Sequence, residues 1–170
     1  MSDPRIANLI EECERQEESC LYTAAALYIW QKRARFWRNF FIVAPIVLAG
    51  IASSQIFVDI QSTTEKLIAV SLSVLAGFFP TIYVALGMDM RVAEIGQSAS
   101  EFTNIRDRFR QAARVKSHAP FDEFDATFEQ LMDRLDAARK SAPATPDWCF
   151  RRAQGNIKKG DYSFAADKKR

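Results

Sequence analysis

The chain has 170 residues, of which 48% are hydrophobic and 26% charged, and its formal net charge is +2. These averages are those of an ordinary soluble protein, but they conceal two long runs that are almost free of charge. The residues outside the runs suffice for a modest helical domain and exclude a large independent enzyme core. The sequence also contains no nucleophile elbow, P-loop, GxGxxG fingerprint or zinc-ligand spacing, so we do not expect an enzyme.

The first predicted element is a long helix within residues 1–38 that begins at Pro4. Proline suits the first turn of a helix, and neither glycine nor proline recurs before Pro45. Apolar residues at seven-residue intervals indicate a face that packs on a partner helix. This stripe consists of Ile6, Cys13, Cys20 and Leu27, with Leu9, Ile10 and Ala24 beside it. We expect the cysteines to be apolar fillers, because they show no CxxC spacing and no metal or cofactor pattern.

Two apolar runs follow, at residues 39–58 and 67–88, and Tyr83 is their only ionisable side chain. At about 1.5 Å per residue, twenty helical residues span about 30 Å, the thickness of a bilayer's hydrocarbon core. The alternative is a pair of buried helices in a soluble domain, but such helices are usually shorter and carry a polar stripe. We therefore predict an all-α membrane protein with a transmembrane hairpin at residues 39–88.

The basic residues before the first run predict the orientation. Cations concentrate on the cytoplasmic side of a membrane, and the loop between the runs has a single cation, Lys66. Two passes then place both the N-terminus and the C-terminus in the cytoplasm. The predicted interfacial anchors are Trp30, Lys32, Arg33, Arg35, Phe36, Trp37 and Arg38.

Within the two runs, small and polar residues predict a packed face. A ridge at every fourth position of the second run, joined by Gln55 of the first, favours close helix packing or a wetted surface. It consists of Ala69, Ser73, Gly77, Thr81 and Ala85. The ridge either seals the two spans into a hairpin or also joins several protomers around a pore. The predicted bends are Pro45, Gly50, Gly77 and Pro80.

Residues 89–142 are predicted to form further cytosolic helices. The helical pattern continues past Met88 without a turn signal to about Lys116, and its stripe should pack antiparallel on the N-terminal stripe. It consists of Val92, Ile95, Ala99, Phe102, Phe109 and Ala113. A break near Pro120 precedes a second amphipathic helix. Its apolar positions are Phe121, Phe124, Phe128, Leu131, Leu135 and Ala138.

Residues 143–170 are predicted to form a last helix and a basic tail. Thr145 is placed to cap the helix, and Gly160 is placed to end it. We expect Trp148 and Phe150 to dock on the other cytosolic helices. The cations of the tail would attract anionic lipid headgroups or a phosphate-bearing ligand. Nucleic acid is not an expected partner, because the basic run at 106–116 is short and contains Asp107.

The order of these elements and the C-terminal motif resemble a known family. The long first helix with Trp30 and the basic stretch Lys32–Arg38, the two spans and the long third helix precede an ending Pro-Asp-Trp-Cys-Phe-Arg-Arg-Ala...Ile-Lys-Lys-Gly-Asp-Tyr. This combination is similar to the SLATT domain, a two-transmembrane effector domain associated with SMODS nucleotidyltransferases and SLOG nucleotide sensors in bacterial conflict systems. The family supplies no catalytic residue.

The resemblance implies an effector that oligomerises in the bacterial inner (plasma) membrane. It would form a pore or otherwise disrupt the membrane, causing death or growth arrest of a phage-infected cell. The implied partners are the lipid bilayer, further copies of the chain and a nucleotide-signalling or sensor protein. The alternative from a different class is a non-conducting, membrane-anchored scaffold that recruits a cytosolic enzyme.

Overall fold

The computed structural model describes residues 4–54 and 63–162, which are helical and contain no strand. The all-α class predicted from the sequence is confirmed. The helices of these ranges are α1 (Pro4–Ser54), α2 (Thr63–Ala85), α3 (Met88–Arg114), α4 (Phe121–Ser141) and α5 (Asp147–Lys158). A short 3-10 helix at Lys116–His118 precedes Pro120, where the sequence predicts a break.

The chain divides into two compact units, which we call the bundle unit and the apolar unit. The bundle unit consists of Met1–Gln31 and Ala93–Arg170, and the apolar unit consists of Lys32–Val92. Helix α1 contributes to both, because it begins at Pro4 and continues unbroken for 51 residues. At about 1.5 Å per residue this helix is about 75 Å long, whereas a soluble-protein helix averages about 11–12 residues.

The core of the bundle unit lies between α1 and α3. Cys13, Cys20 and Leu27 are fully buried, and the five predicted stripe positions of α3 that belong to this unit are buried as well. The sixth position, Val92, is buried at the end of the apolar unit. A Cβ on Gly96 would approach the side chain of Gln31, and the Arg110 guanidinium lies 3.9 Å from the Glu17 carboxylate. Because later residues of α1 meet earlier residues of α3, the two helices are antiparallel, as the stripes predict.

Helix α4 packs on the same core. The rings of Phe109 and Phe128 lie 6.0 Å apart, and Arg134 Nε donates to Glu101 Oε1 at 2.7 Å. The predicted apolar positions that are buried are Phe124, Phe128, Leu135 and Ala138. On α1, the side chain of the buried residue Gln16 accepts a hydrogen bond from Arg139 Nη2 at 3.1 Å.

Helix α5 packs through small residues rather than through its large aromatics. Cys149 and Ala153 are fully buried against Ala25 and Ala26 of α1. Positions four apart share one helix face, and small side chains there let two helices approach closely. The expected docking on the other helices is seen for Phe150, whose ring lies 6.2 Å from that of Tyr22 of α1, although Trp148 and Phe150 stay 37% and 42% exposed. Partly buried residues around this cluster are Ile29, Trp30, Ile157 and Tyr162.

The ends of two helices differ from the sequence prediction. The chain does not continue as one helix beyond the second apolar run, because α2 ends at Ala85 and Gly87 adopts a φ of +56°. Glycine lacks a Cβ, and this left-handed conformation therefore costs it little. At α5 the N-cap is Pro146, without a side-chain capping hydrogen bond, so Thr145 is not the cap. Gly160, with a φ of +86°, follows the helix end as predicted.

Candidate functional site

The apolar unit contains the part of the chain that is suited to a membrane. Among the described residues, helix α1 has a segment within Pro4–Ile51 that is long and apolar enough to cross a bilayer. The segments Val70–Ala85 and Met88–His118 meet the same criterion only when they are counted together across the break at Gly87. One or two helices of this length and composition are consistent with a membrane location.

The side chains of this unit are uncovered, in contrast to those of a soluble core. The most apolar 18-residue segment of α1 lies within the described residues, and none of its residues is buried. All but four of the exposed large apolar side chains in the described ranges lie between Phe36 and Met90. Phe36 and Ile46, for example, are 65% and 67% exposed. Monomeric soluble proteins rarely expose a contiguous apolar surface of this extent.

Helices α1 and α2 contact each other through a narrow aromatic seam. The ring of Phe79 lies 6.0 Å from that of Phe40 and 5.6 Å from that of Phe41. The half-buried side chains on the two helices follow a helical spacing and define the contact. On α1 they include Phe41, Ala44, Pro45 and Leu48, and on α2 they are Leu72, Ala76, Phe79 and Tyr83.

The predicted ridge of small residues lies outside this seam. Ser73, Gly77, Thr81 and Ala85 are exposed, and a Cβ on Gly77 would have no atom within 4 Å. The half-buried seam residues of α2 lie on another face, so the interpretation that the ridge seals α1 against α2 does not agree with this structure. The interpretation that it joins protomers stays a prediction. Gln55 and the side chain of Ala69 lie outside the described residues.

The predicted bends lie in unbroken helix. Helix α1 is continuous through Pro45 and Gly50, and α2 is continuous through Gly77 and Pro80. Missing backbone donors inside membrane helices are tolerated when neighbouring groups satisfy the freed carbonyls. A role of these residues as hinges therefore stays a prediction, whereas the break that the structure does show is at Gly87.

The predicted interfacial anchors fall into three environments. Trp30 is half-buried and packs against the α5 cluster of the bundle unit. In the apolar unit, Phe36 and Trp37 are exposed, and their rings meet edge to face at 6.0 Å. The exposed cations of this stretch are Lys32, Arg33 and Arg35. Arg38 is half-buried and points instead to a carboxylate.

That carboxylate belongs to Asp89, which joins three helices in a polar cluster. Arg38 Nε lies 2.9 Å from Asp89 Oδ1, an ionic contact whose angle is too poor for a hydrogen bond. The Tyr83 hydroxyl donates a hydrogen bond to the other carboxylate oxygen. Asp89 also lies in the first turn of α3, where a helix N-terminus favours negative charge. The sequence analysis missed this cluster, although Tyr83 and the acidic residue directly after the second run are its signals.

Two grooves lie beside the aromatic seam, one on each side. The first has a volume of about 640 Å³ and the second about 500 Å³. The first is lined by Phe36, Asn39, Phe40, Val43, Ala44, Val47, Leu48 and Phe79. The second is lined by Phe41, Ile42, Pro45, Ile46, Ala49, Ala76, Pro80 and Tyr83. Both are almost entirely apolar, so they suit hydrocarbon rather than a polar ligand.

The cysteines of α1 are part of the packing. Burial, the largest cause, raises the pKa of the Cys13 and Cys20 thiols to about 11 in each case. These thiols are therefore protonated at neutral pH, and a protonated thiol is a poor nucleophile and metal ligand. Across residues 4–54 and 63–162, no cluster of three or more His, Cys, Asp or Glu residues is arranged to hold a metal ion.

Comparisons of the chain with protein-family models, curated proteins and solved structures found no match.

Proposed function

We propose that this protein is a bacterial inner-membrane effector that oligomerises and makes the membrane permeable, in the manner implied by its resemblance to SLATT domains. The observation that carries the proposal is the uncovered apolar surface between Phe36 and Met90. A bilayer covers such a surface without a protein partner, because lipid tails are as apolar as these side chains. No catalytic residue is part of the proposal.

The proposed topology has two passes, at about 39–58 and 67–88, joined in a membrane hairpin. The seam of Phe40, Phe41 and Phe79 supports it, because it holds α1 against α2 within a single chain. The exposed cations Lys32 and Arg35 precede the first pass and favour a cytoplasmic location for that end. Both termini and the bundle unit are then cytoplasmic.

Permeation requires several copies of the chain, because two helices cannot enclose an aqueous path. The exposed ridge of α2 is the surface through which we propose that protomers meet. Small residues at steps of four allow close backbone approach, and the hydroxyls of Ser73 and Thr81 would tolerate contact with water. A nucleotide-signalling or sensor protein acting on the bundle unit would supply the trigger, and no nucleic acid is involved.

The test is the membrane potential of bacteria after induced expression of the intact protein. We expect rapid depolarisation with the native chain and its loss when Gly77 and Thr81 are both replaced by Leu. The matched control replaces Val70 and Val74 by Leu, which changes an equally exposed stripe of the same helix. Equal depolarisation by both double variants would contradict a role of the ridge. An unchanged potential in the infected native host, with the protein in the membrane fraction, would contradict permeation.

The second candidate is a non-conducting scaffold that recruits a soluble enzyme to the membrane. It is favoured by the bundle unit, which has a buried core of its own and could bind a partner without a pore in the membrane. The scaffold predicts that an unrelated two-span anchor replaces residues 39–88 without loss of function. The effector predicts that the same exchange abolishes depolarisation while the protein still reaches the membrane.

A further inference from the structure

The first groove of the apolar unit has the length of a single membrane leaflet. Its lining extends along α1 from Phe36 to Leu48, which corresponds to about 18 Å at 1.5 Å per residue. Half of a hydrocarbon core that is about 30 Å thick is about 15 Å. The groove therefore matches one acyl chain that enters from one side of the bilayer. Its volume of about 640 Å³ lies within the usual range for small-molecule sites.

Polar groups occur at one end of this groove. Lys32 and Arg33 precede Phe36 by four and three residues, so all three share a helix face. Asn39 contributes an amide to the lining itself, at the same end. Arg35 precedes Asn39 by four residues and therefore adjoins the same end of the groove. An anionic group at the groove's mouth would therefore meet Lys32 and Arg33.

The second groove differs in its charge. Tyr83 lines it, but the Tyr83 hydroxyl donates to Asp89, and Asp89 also pairs with Arg38. The carboxylate and the guanidinium neutralise each other at that point. A second anion would gain little binding energy there. Both grooves therefore have apolar linings, but they differ in the charge at one end. Charge complementarity to an anion is thus a property of the first groove.

We propose that the first groove binds one anionic phospholipid, with an acyl chain along Phe40, Ala44 and Val47 and the phosphate beside Lys32 and Arg33. This inference rests on the proposed membrane location and goes beyond it, because it assigns a lipid class to a defined site. The site would select anionic over zwitterionic lipid by its cations. Each cation near an anionic headgroup contributes about 1 kcal/mol, which corresponds to about a fivefold change in affinity.

Tryptophan fluorescence provides the test, because Trp37 adjoins the groove. Its ring lies 6.0 Å from that of Phe36 and 5.7 Å from that of Phe40, and both phenylalanines line the groove. A full-length variant with Trp30→Phe and Trp148→Phe, which keeps Trp37 as its single tryptophan, would be titrated in neutral detergent with phosphatidylglycerol or phosphatidylcholine. These lipids would carry brominated acyl chains, which quench nearby tryptophan. We expect half-maximal quenching at a phosphatidylglycerol concentration several-fold below that of phosphatidylcholine.

Two pairs of variants separate the headgroup site from the acyl-chain site. Lys32→Gln should weaken quenching by phosphatidylglycerol about fivefold and leave phosphatidylcholine unaffected, whereas Arg91→Gln, at an exposed cation of α3 that lines neither groove, should change neither. Val47→Phe fills the groove and should reduce quenching by both lipids. Val74→Phe, an equally exposed position on α2 that lines neither groove, is its control. Folding of each variant is checked by circular dichroism.

Several results would overturn the site. Equal quenching by the two lipids, or equal effects of Lys32→Gln and Arg91→Gln, would contradict the anionic selectivity. Trp37 fluorescence that responds to protein concentration and not to lipid would mean that a second copy of the chain covers the groove. If the protein depolarises the membrane but shows no lipid selectivity, only the anionic-lipid site is wrong. If it selects anionic lipid but does not depolarise the membrane, only the proposed effector function is wrong. Absence from the membrane fraction would overturn both.

Discussion

The two units use the same helix in opposite ways. In the bundle unit, α1 carries apolar residues at seven-residue intervals, and three helices cover them, so that Cys13, Cys20 and Leu27 have no contact with solvent. In the apolar unit, α1 is apolar on every side from Phe40 to Ile51 and packs its rings on α2, while α3 meets it at the Arg38–Asp89 ion pair, so that most of its side chains stay uncovered. A periodic stripe thus requires protein neighbours, whereas an all-round apolar surface requires an apolar solvent.

The largest expected effect comes from removing one phenylalanine from each unit. Phe109 is fully buried and Phe78 is 58% exposed. Phe109→Ala should lower the free energy of unfolding by about 3–5 kcal/mol, because it leaves a cavity in a packed core. Phe78→Ala should change it by less than about 1 kcal/mol, because no cavity forms. Denaturant unfolding of the protein in detergent, followed by circular dichroism, measures both, and similar losses would contradict the contrast between the units.

A charge placed on each surface sharpens the same comparison. Phe78 and Val115 are exposed to nearly the same extent, at 58% and 59%, but they belong to different units. Phe78→Arg should impair membrane insertion by about 2.5–3.5 kcal/mol, the cost of arginine at the centre of a membrane helix. Val115→Arg should leave insertion unchanged. The fraction that resists alkaline extraction from membranes is the measurement, and equal insertion of the two variants would place Phe78 outside the bilayer.

A smaller effect is expected where α1 and α3 approach closely in the bundle unit. A Cβ at Gly96 would lie 2.0 Å from Gln31 Nε2, whereas one at Gly155 of α5 would meet nothing within 4 Å. Gly96→Ala should change the stability by less than about 1 kcal/mol, because displacement of the flexible end of the Gln31 side chain offsets the gain in helix propensity. Gly155→Ala should instead stabilise it by up to about 1 kcal/mol, because alanine is the better helix former. Thermal unfolding tests both, and a larger gain from Gly96→Ala in a Gln31→Ala background would identify the clash as the cause of the difference.

The same contrast explains which parts of the structure could be predicted from the sequence. The six positions predicted for the α3 stripe are all buried, because a buried helix face repeats with the helical period, whereas Ile105 and Ala112 are also buried and were not predicted. The contact of Phe150 with α1 was predicted from its size, but the buried core of α5 was not, because the close packing of Cys149 and Ala153 on α1 requires small residues. The helix break at Gly87 was missed, because a lone glycine inside an apolar run is also compatible with helix.

The candidate site was predicted in composition but not in arrangement. The apolar runs and the cations before them follow directly from residue order. The face on which α2 meets α1 does not, because both the small ridge and the aromatic side of α2 are compatible with helix packing. The ion pair of Arg38 with Asp89 was not predicted, although antiparallel packing of α1 and α3 was.

The smallest expected effect is the pH dependence of one ion pair between α3 and α4. The hydrogen bond from Arg134, the largest cause, lowers the pKa of the Glu101 carboxyl below its ordinary value of 4.5. A lowered carboxyl pKa stabilises the folded protein above that ordinary value, and the stabilisation is lost as the pH falls through the pKa of the folded state. Because both side chains are well exposed, the pair should contribute only about 0.5 kcal/mol.

Replacement of the cation removes this pH dependence. Arg134→Gln should lower the free energy of unfolding by that small amount at neutral pH and flatten its decline in acid. Lys140→Gln, at another exposed cation of α4, provides the control and should leave the acid dependence unchanged. Acid-dependent denaturant unfolding measures both. An Arg134→Gln variant that loses several kcal/mol would mean that α3 and α4 depend on this surface pair rather than on the buried rings of Phe109 and Phe128.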